Sequence, residues 1–346
     1  MEPRRTECSA ALGAVAMSGL VLLLQSCGGG GGDSSATPPP PLTTAQRGSA
    51  ATQTAQSDTN LCAPIRPFYW EIGDRNTSLA SGSITSPGDP TVYTADSQMP
   101  IASASKWIYG AYVAQMRSGA LTEDDVKFLT FRSGYTSFSK CLPNQTVDEC
   151  VAYQQNGVHQ PATDGLFSYG GGHMEKHASL GTLGPLRRVD LAAEVRSKLG
   201  ADIVLGYSQP QLAGGIYTTA GDYARFLRKL LGGELMLGAM LGDDAVCTNP
   251  ATCPLALNTP VPTSESWNYS LGHWVEADPL VGDGAFSSAG AFGFYPWIDA
   301  GKTWYGIIAR EQVTPGQDPD QSLGEGYRSV QCGRLIRKAW VTGTVQ

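Results

Sequence analysis

Apolar and polar positions alternate with two different periods along residues 61–346, and the order of those periods outlines a fold. Phe68-Tyr69-Trp70-Glu71-Ile72 and the stretch from Ala80 to Ile84 read as two early strands, separated by the turn residues Asp74 to Asn76. Segments 104–117, 147–154, 188–199 and 220–231 space their apolar residues as helices do. Later, Tyr269 to Val275, Gly290 to Ile298 and Thr303 to Arg310 read as strands, with Asp299-Ala300-Gly301-Lys302 as a tight turn between the last two. Strands at both ends with helices between them predict an α/β fold. One sheet is assembled from distant parts of the chain and flanked by helices, and a mostly helical subdomain is inserted into it.

Composition narrows the class. Residues 61–346 are enough for one large domain or two intimate subdomains. Charged residues make up only 16% of the chain, while 42 glycines and 22 prolines suit a loop-rich enzyme better than a coiled coil or a disordered tail. The net charge is −7 and the lysines and arginines are scattered, which gives nucleic-acid binding no electrostatic support.

The N-terminus changes the expected compartment. Arg4-Arg5, a mostly apolar stretch from Ala10 to Leu24 and then Gln25-Ser26-Cys27 describe a secretory signal too short for a comfortable membrane span. A cysteine directly after the apolar core resembles a bacterial lipoprotein box. Residues 1–27 are then a lipoprotein-type signal and Cys27 the lipidated mature N-terminus, on the periplasmic side of a bacterial membrane, the outer one favoured. Ordinary cleavage to a soluble periplasmic or secreted protein is the alternative. Residues 28–60, glycine-rich and then rich in Ser, Thr, Pro and Gln, read as a disordered tether ahead of the domain at 61–346. Setting aside Cys8 and Cys27, six cysteines remain, an even count that suggests disulfides in an exported chain. Six allow 15 pairings. Cys141–Cys150 and Cys247–Cys253 close short loops, and Cys62–Cys332 would then join the two ends of the domain.

Candidate chemistry centres on Ser103-Ala104-Ser105-Lys106, which opens an apolar helical run. One helical turn separates Ser103 from Lys106, so hydroxyl and amine share a face. A serine hydroxyl is a poor nucleophile until a base takes its proton, and a desolvated lysine can be that base. The same pattern recurs at Ser137-Phe138-Ser139-Lys140, but Cys141-Leu142-Pro143 follows at once and denies it a helical platform. With an ordinary pKa near 10.4, only about one lysine in ~2,500 is neutral at pH 7, so Lys106 acts as a base only if burial depresses it or if a partly ionised tyrosine shares the proton.

Three segments, in order, resemble those of the serine β-lactamase and penicillin-binding-protein superfamily, in particular its class C β-lactamase, family VIII esterase and nylon-oligomer hydrolase branch. Met99-Pro100-Ile101-Ala102-Ser103-Ala104-Ser105-Lys106 matches the S-x-x-K nucleophile motif. Phe167-Ser168-Tyr169-Gly170-Gly171 stands where Y-x-N is expected, and Ser288-Ala289-Gly290 where K-T-G or H-x-G is expected. Between them, Ala213 to Phe226 resembles the family's G-G-x-x-S/T-T-A-x-D-x-A-x-F segment; its residues also read as a turn and an N-capped amphipathic helix. The resemblance implies a β-lactamase-like fold, an antiparallel sheet with the active site between it and the helical subdomain. It implies catalysis by Ser103, Lys106 and Tyr169, and an oxyanion hole from the amides of Ser103 and Ala291. Gly171, Ser288 and Gly290 would face the substrate. His273, on the strand that precedes the third motif, is a further substrate-binding candidate by its position alone, facing either the cleft or the surface. No cofactor and no metal is required, and the partner is a small-molecule ester or amide.

Two departures from the family pattern shape the expected substrate. Gly171 replaces the asparagine that contacts an acylamino side chain. Ser288 replaces the lysine that binds a substrate carboxylate, a charge-assisted hydrogen bond worth about 1.5–3 kcal/mol. Neutral esters are therefore favoured. The alternatives are a β-lactamase, D-Ala peptidase or linear-amide hydrolase, and, in a different class, a catalytically silent penicillin-binding or wall-associated protein. His173 and His177 stand at i,i+4 but lack a glutamate directly after the first, so they read as a surface pair on a helix rather than a zinc site.

Overall fold

A computed structural model describes residues 40–316, 318 and 321–346, and Leu42–Gln346 form one compact unit. The signal and Cys27 lie outside the described residues. The tether does not extend to Asn60. Thr44–Ala55 form a helix, α1, opened by a reciprocal cap between Thr43 and Gln46, with Ala50, Ala51 and Ala55 buried. A run of alanine, threonine and glutamine looks low in apolar content, yet its small side chains let the helix sit close, and Arg47 ties it to the carbonyls of Trp340 and Val341.

The first strands are β1 (Phe68–Asp74) and β2 (Ser78–Ile84), and β3 (Met99–Pro100) leads into α2 (Ser105–Met116). The helical part follows, with α3 (Glu123–Leu129), α4 (Val147–Val151), the short β4 (Phe167–Ser168), α5 (Gly172–Ser179) and α6 (Arg188–Leu199). Next come β5 (Leu205–Tyr207), β6 (Ile216–Thr218) and α7 (Ala220–Leu231). The last third holds β7 (Val246–Cys247), β8 (Ala256–Asn258), β9 (Asn268–Ser270), β10 (His273–Val275), β11 (Phe286–Ser287), β12 (Tyr295–Ile298), β13 (Trp304–Ala309) and α8 (Glu325–Thr342).

An eight-stranded antiparallel sheet runs β2-β1-β13-β12-β11-β10-β9-β7, so strands from the two ends of the chain meet where β1 pairs with β13, Trp70 opposite Ile308. Helices α1 and α8 pack on this sheet, and α7 and α2 also pack against its strands. With both faces covered, β1 and β13 are buried almost throughout rather than alternately. Gly306 is required by this packing, because a Cβ there would lie 2.1 Å from the Trp297 ring.

Two of the expected strands are shorter. Tyr269 to Val275 is a hairpin, β9 and β10 joined through Gly272 at φ +83°, a left-handed conformation that glycine adopts without strain. Gly290 to Phe294 is a turn, closed by Gly290 N–H on the Phe294 carbonyl, and only Tyr295–Ile298 pair as a strand. Helix α8 is held by ion pairs: Arg337 and Arg334 donate to Glu276, and Arg334 also to Glu265. Three cysteine pairs sit at bonding distance, Cys62–Cys332, Cys141–Cys150 and Cys247–Cys253.

Candidate active site

Ser103 lies on a single 3-10 turn, Ala102–Ala104, that feeds directly into α2. Three groups grip that turn from outside. Ser288 Oγ donates to the Ser103 carbonyl at 3.1 Å, Tyr223 Oη donates to the Ala104 carbonyl at 2.9 Å, and Ile101 N–H donates to the Ile216 carbonyl at 3.0 Å. Ser105, inside the motif, is also structural, since its Oγ accepts from Ile216 N–H. Immediately before the serine, Ala102 takes φ +44°, a region costly for any residue with a Cβ. Such a residue persists only where its surroundings over-determine it, and here the strand pairing of Met99 and Pro100 with β6 fixes one side and the start of α2 the other.

Lys106 Nζ donates to Ser103 Oγ at 3.0 Å and to the Ala213 carbonyl at 2.8 Å. It also stands 4.9 Å from the centre of the Tyr169 ring. The ring is set by aromatic contacts, stacked on Trp274 and edge-on to Phe131 and Tyr269. Its backbone is pinned by Asn258, whose carbonyl accepts from Tyr169 N–H and whose amide donates back to the Tyr169 carbonyl. All three side chains are buried, Ser103 with 5% of its surface exposed, Lys106 4% and Tyr169 2%.

Above Ser103 and Lys106 opens a cleft of about 440 Å³. Ala102, Phe138, Gly171, Gly214, Ala291 and Phe292 supply most of its apolar wall, and Ser139, Ser208, Gln209 and Gln211 its neutral polar groups. Among the described residues that line it, Lys106 is the only cation and Asp318 the only anion. Gly171 and Ala291 both line this cleft. Gly290 lies just beneath: a Cβ there would come 2.1 Å from the Ile101 carbonyl, so the turn carrying Ala291 approaches the Ser103 segment only because position 290 is glycine.

Two expected substrate contacts lie elsewhere. Ser288 points under Ser103 onto its carbonyl, not into the cleft. His273 is fully buried and stacks on Trp107; its Nε2 accepts from Gly242 N–H and its Nδ1 faces the Leu271 carbonyl. Burial pushes it down to about 3, so it is a neutral core residue. Ser137 and Lys140 of the second motif sit in a loop without a helix, and Gln160 donates to the Ser137 hydroxyl.

The histidine pair is not a surface pair. His173 is buried in α5 between Ser133 Oγ and the Ser168 carbonyl, and desolvation lowers it to about 4. His177 bridges Tyr109 Oη and Asp125 beside a separate groove of about 470 Å³, where Asp125 also holds Arg117. These charges satisfy one another. Sequence reasoning missed Glu175, also on α5 and fully buried: its two carboxylate oxygens accept from Leu212 N–H at 3.0 Å and Ala213 N–H at 2.9 Å. A glutamate placed six residues after the motif tyrosine was its only trace in the sequence.

No protein-family model matches this sequence, and no curated protein matches it. Solved structures do. EstCE1, described as a hydrolase with promiscuous acyltransferase activity, superposes with a TM-score of 0.58 at 12% identity over 86% of this chain and 98% of its own. The D-amino acid amidase of Ochrobactrum anthropi SV3 gives 0.58 at 14% identity, over 85% of this chain and 99% of its own. The octameric penicillin-binding protein homologue of Pyrococcus abyssi gives 0.57 at 12% identity, over 88% and 78%. The fold is that of the serine β-lactamases and penicillin-binding proteins. In the β-lactamase-like fold of this chain, the cleft over Ser103 lies where the sheet-borne turn at Gly290–Ala291 faces residues of the helical part, Phe138 and Gly171.

Proposed function

We propose that this chain is an exported serine hydrolase that works through an acyl-enzyme, with carboxylic esters of small neutral substrates as its favoured class. The observation that carries the reading is the 3.0 Å contact between Lys106 Nζ and Ser103 Oγ at the floor of a cleft, beside Tyr169. The Ala213 carbonyl occupies one N–H of the lysine. A neutral amine then keeps its lone pair for the serine proton. Ser103 Oγ attacks the substrate carbonyl as that proton leaves, and the tetrahedral oxyanion is met by the amides of Ser103 and Ala291. The proton passes through Lys106 and Tyr169 to the leaving alkoxide, and a water repeats the sequence on the acyl-enzyme.

The preference for neutral substrates rests on the absence of any cation but Lys106 among the described residues of the cleft wall. The preference for esters rests on Gly171, which offers no amide to an acylamino chain. Hydrolysis of linear amides is the second reading, favoured by the likeness to the amidase of Ochrobactrum anthropi. Export is supported by the three cysteine pairs, since disulfides persist in oxidising compartments. Lipidation of Cys27 would place the enzyme on a periplasmic membrane face, with the residues that follow it as tether.

Burst release of p-nitrophenol from short-chain esters tests the reading. A burst equal to one equivalent of enzyme, abolished in Ser103→Ala, is expected. Faster turnover of nitrocefin or of D-amino acid amides would move the enzyme to the alternatives, and no turnover at all would favour a binding protein.

A further inference from the structure

Glu175 lies behind the catalytic pair, and the site proposed above does not use it. Its carboxylate takes two successive backbone amides of one loop, one on each oxygen, Leu212 N–H on Oε2 and Ala213 N–H on Oε1. The same Ala213 offers its carbonyl to Lys106 Nζ, which reaches Ser103 Oγ. A path of four groups, Glu175, Ala213, Lys106 and Ser103, thus runs from a buried carboxylate through the N–H and the carbonyl of one residue to the serine hydroxyl. Two N–H donors directed at two separate oxygens match an ionised carboxylate, which has acceptor sites only.

Resting on the hydrolase reading, we propose that Glu175 is a positioning residue: it clamps the Leu212–Ala213 peptide so that the Ala213 carbonyl holds Lys106 on Ser103, and its charge sets the pH at which the lysine works. The clamp is built to be rigid. Glu175 is fully buried on α5, and Gly215, at the end of the same loop, packs so closely that a Cβ would lie 2.6 Å from the Gln209 carbonyl. The charged and titratable groups that act on the carboxylate are Lys106 and Tyr109 from α2 and Tyr207 from β5. Of these only Lys106 is a cation. Burial raises the Glu175 carboxyl to about 7, against the pull of the two amides and of the lysine, so its ionisation falls within the range where the enzyme would be assayed.

The test compares Glu175→Gln, Glu175→Asp and Ser103→Ala with the unaltered protein, using p-nitrophenyl ester kinetics from pH 5 to 10, the rate of fluorophosphonate labelling, and circular dichroism. In Glu175→Gln the amide NH2 opposes one of the two backbone donors and the charge is gone. The expected result is a folded protein whose kcat falls by about 10- to 100-fold, as for a misplaced catalytic group, with KM within about threefold. Its ascending kcat/KM limb should move to lower pH, because the anion that favours the lysine ammonium has been removed. Glu175→Asp keeps the charge on a shorter arm, so its limb should stay in place while kcat still drops. A folded Glu175→Gln with unaltered kcat and pH profile overturns the proposal. So does failure of both variants to fold, which would assign the residue to the scaffold. If Ser103→Ala retains turnover and labelling, it is the hydrolase site that fails, and the Glu175 kinetics are then read against whichever serine is labelled.

Discussion

The ring of Phe138 stands where a side chain at position 171 would need to be: a Cβ on Gly171 would meet Phe138 Cδ1 at 3.0 Å. The missing asparagine and the phenylalanine are thus one feature. The segment just ahead of Cys141, which pairs with Cys150, brings an aromatic wall into the cleft, and glycine at 171 leaves room for it. Gly171→Asn should lower ester turnover by forcing Phe138 aside, whereas Gly171→Asn combined with Phe138→Ala should recover it and raise turnover of substrates carrying an acylamino group. Phe138→Ala alone should shift preference towards longer acyl chains. Comparing kcat/KM for acetate and octanoate esters in the three variants checks this, and an unchanged chain-length profile in Phe138→Ala would remove Phe138 from the acyl site.

Ser288 has a structural task at the position where the resembling enzymes keep a lysine. Its hydroxyl donates to the buried Ser103 carbonyl, which Ser105 N–H also approaches, and a hydrogen bond of this kind contributes about 0.5–1.5 kcal/mol. Ser288→Ala should therefore lower the urea midpoint and slow acylation by loosening the nucleophile turn, with no change in the ranking of neutral against anionic esters. If Ser288→Ala altered that ranking instead, the hydroxyl would have to reach the substrate.

Acid should destabilise the protein well above the carboxylate range. His173 and His273 are lowered to about 4 and 3 by burial, so the native state stays neutral while the unfolded chain takes up protons below about 6.5. Glu175 acts in the opposite sense: raised to about 7, it binds a proton in the native state before the unfolded chain does. Two protons against one leave a net loss of stability as pH falls between roughly 6.5 and 4.5, on the order of 1 kcal/mol per pH unit from these groups. Below that, Glu276 adds to the loss. Burial would raise its carboxyl, but the Arg337 and Arg334 charges and the Tyr295 hydroxyl outweigh this and hold it at about 2. Urea midpoints at pH 7, 5.5 and 4 should fall steadily, and His273→Gln, if folded, should flatten the first step. Equal midpoints at pH 7 and 5.5 would contradict the burial of neutral histidines.

Much of this was legible where local pattern and tertiary role agree. Helix α6 occupies the expected Arg188–Leu199, and α7 the expected Ala220–Leu231 with its capping threonine. Helix α7 carries its apolar residues on one face, and α6 buries Leu191, Ala192, Val195 and Leu199 while leaving Val189 exposed. Helix α8 was not read, because the face it buries is built from Gly326, Ser329, Gly333 and Arg337 as much as from Val330, Ile336 and Trp340. Small and charged residues give no hydrophobic period, although they stand at i,i+3 and i,i+4. Helix α1 was hidden in the same way by alanines. At the site, the spacing of Ser103 and Lys106 showed they could meet, but the left-handed Ala102, the hydroxyls of Ser105 and Tyr223 that brace the turn, and Glu175 depend on partners more than 30 residues away or on a backbone angle. For His273 the strand pattern leaves cleft or surface open, and neither holds: the β9–β10 hairpin turns its ring onto Trp107 in the core.

The central claim is that one serine, among many, is made reactive by a buried lysine. Mass spectrometry of the protein treated with a fluorophosphonate tests it directly. The account predicts a single adduct, on the peptide carrying Ser103, lost in Lys106→Ala and slowed at least about tenfold in Tyr169→Phe, whose phenol handles the same proton. Labelling at Ser137 or elsewhere, or labelling of Ser103 at an unchanged rate in Lys106→Ala, would contradict it.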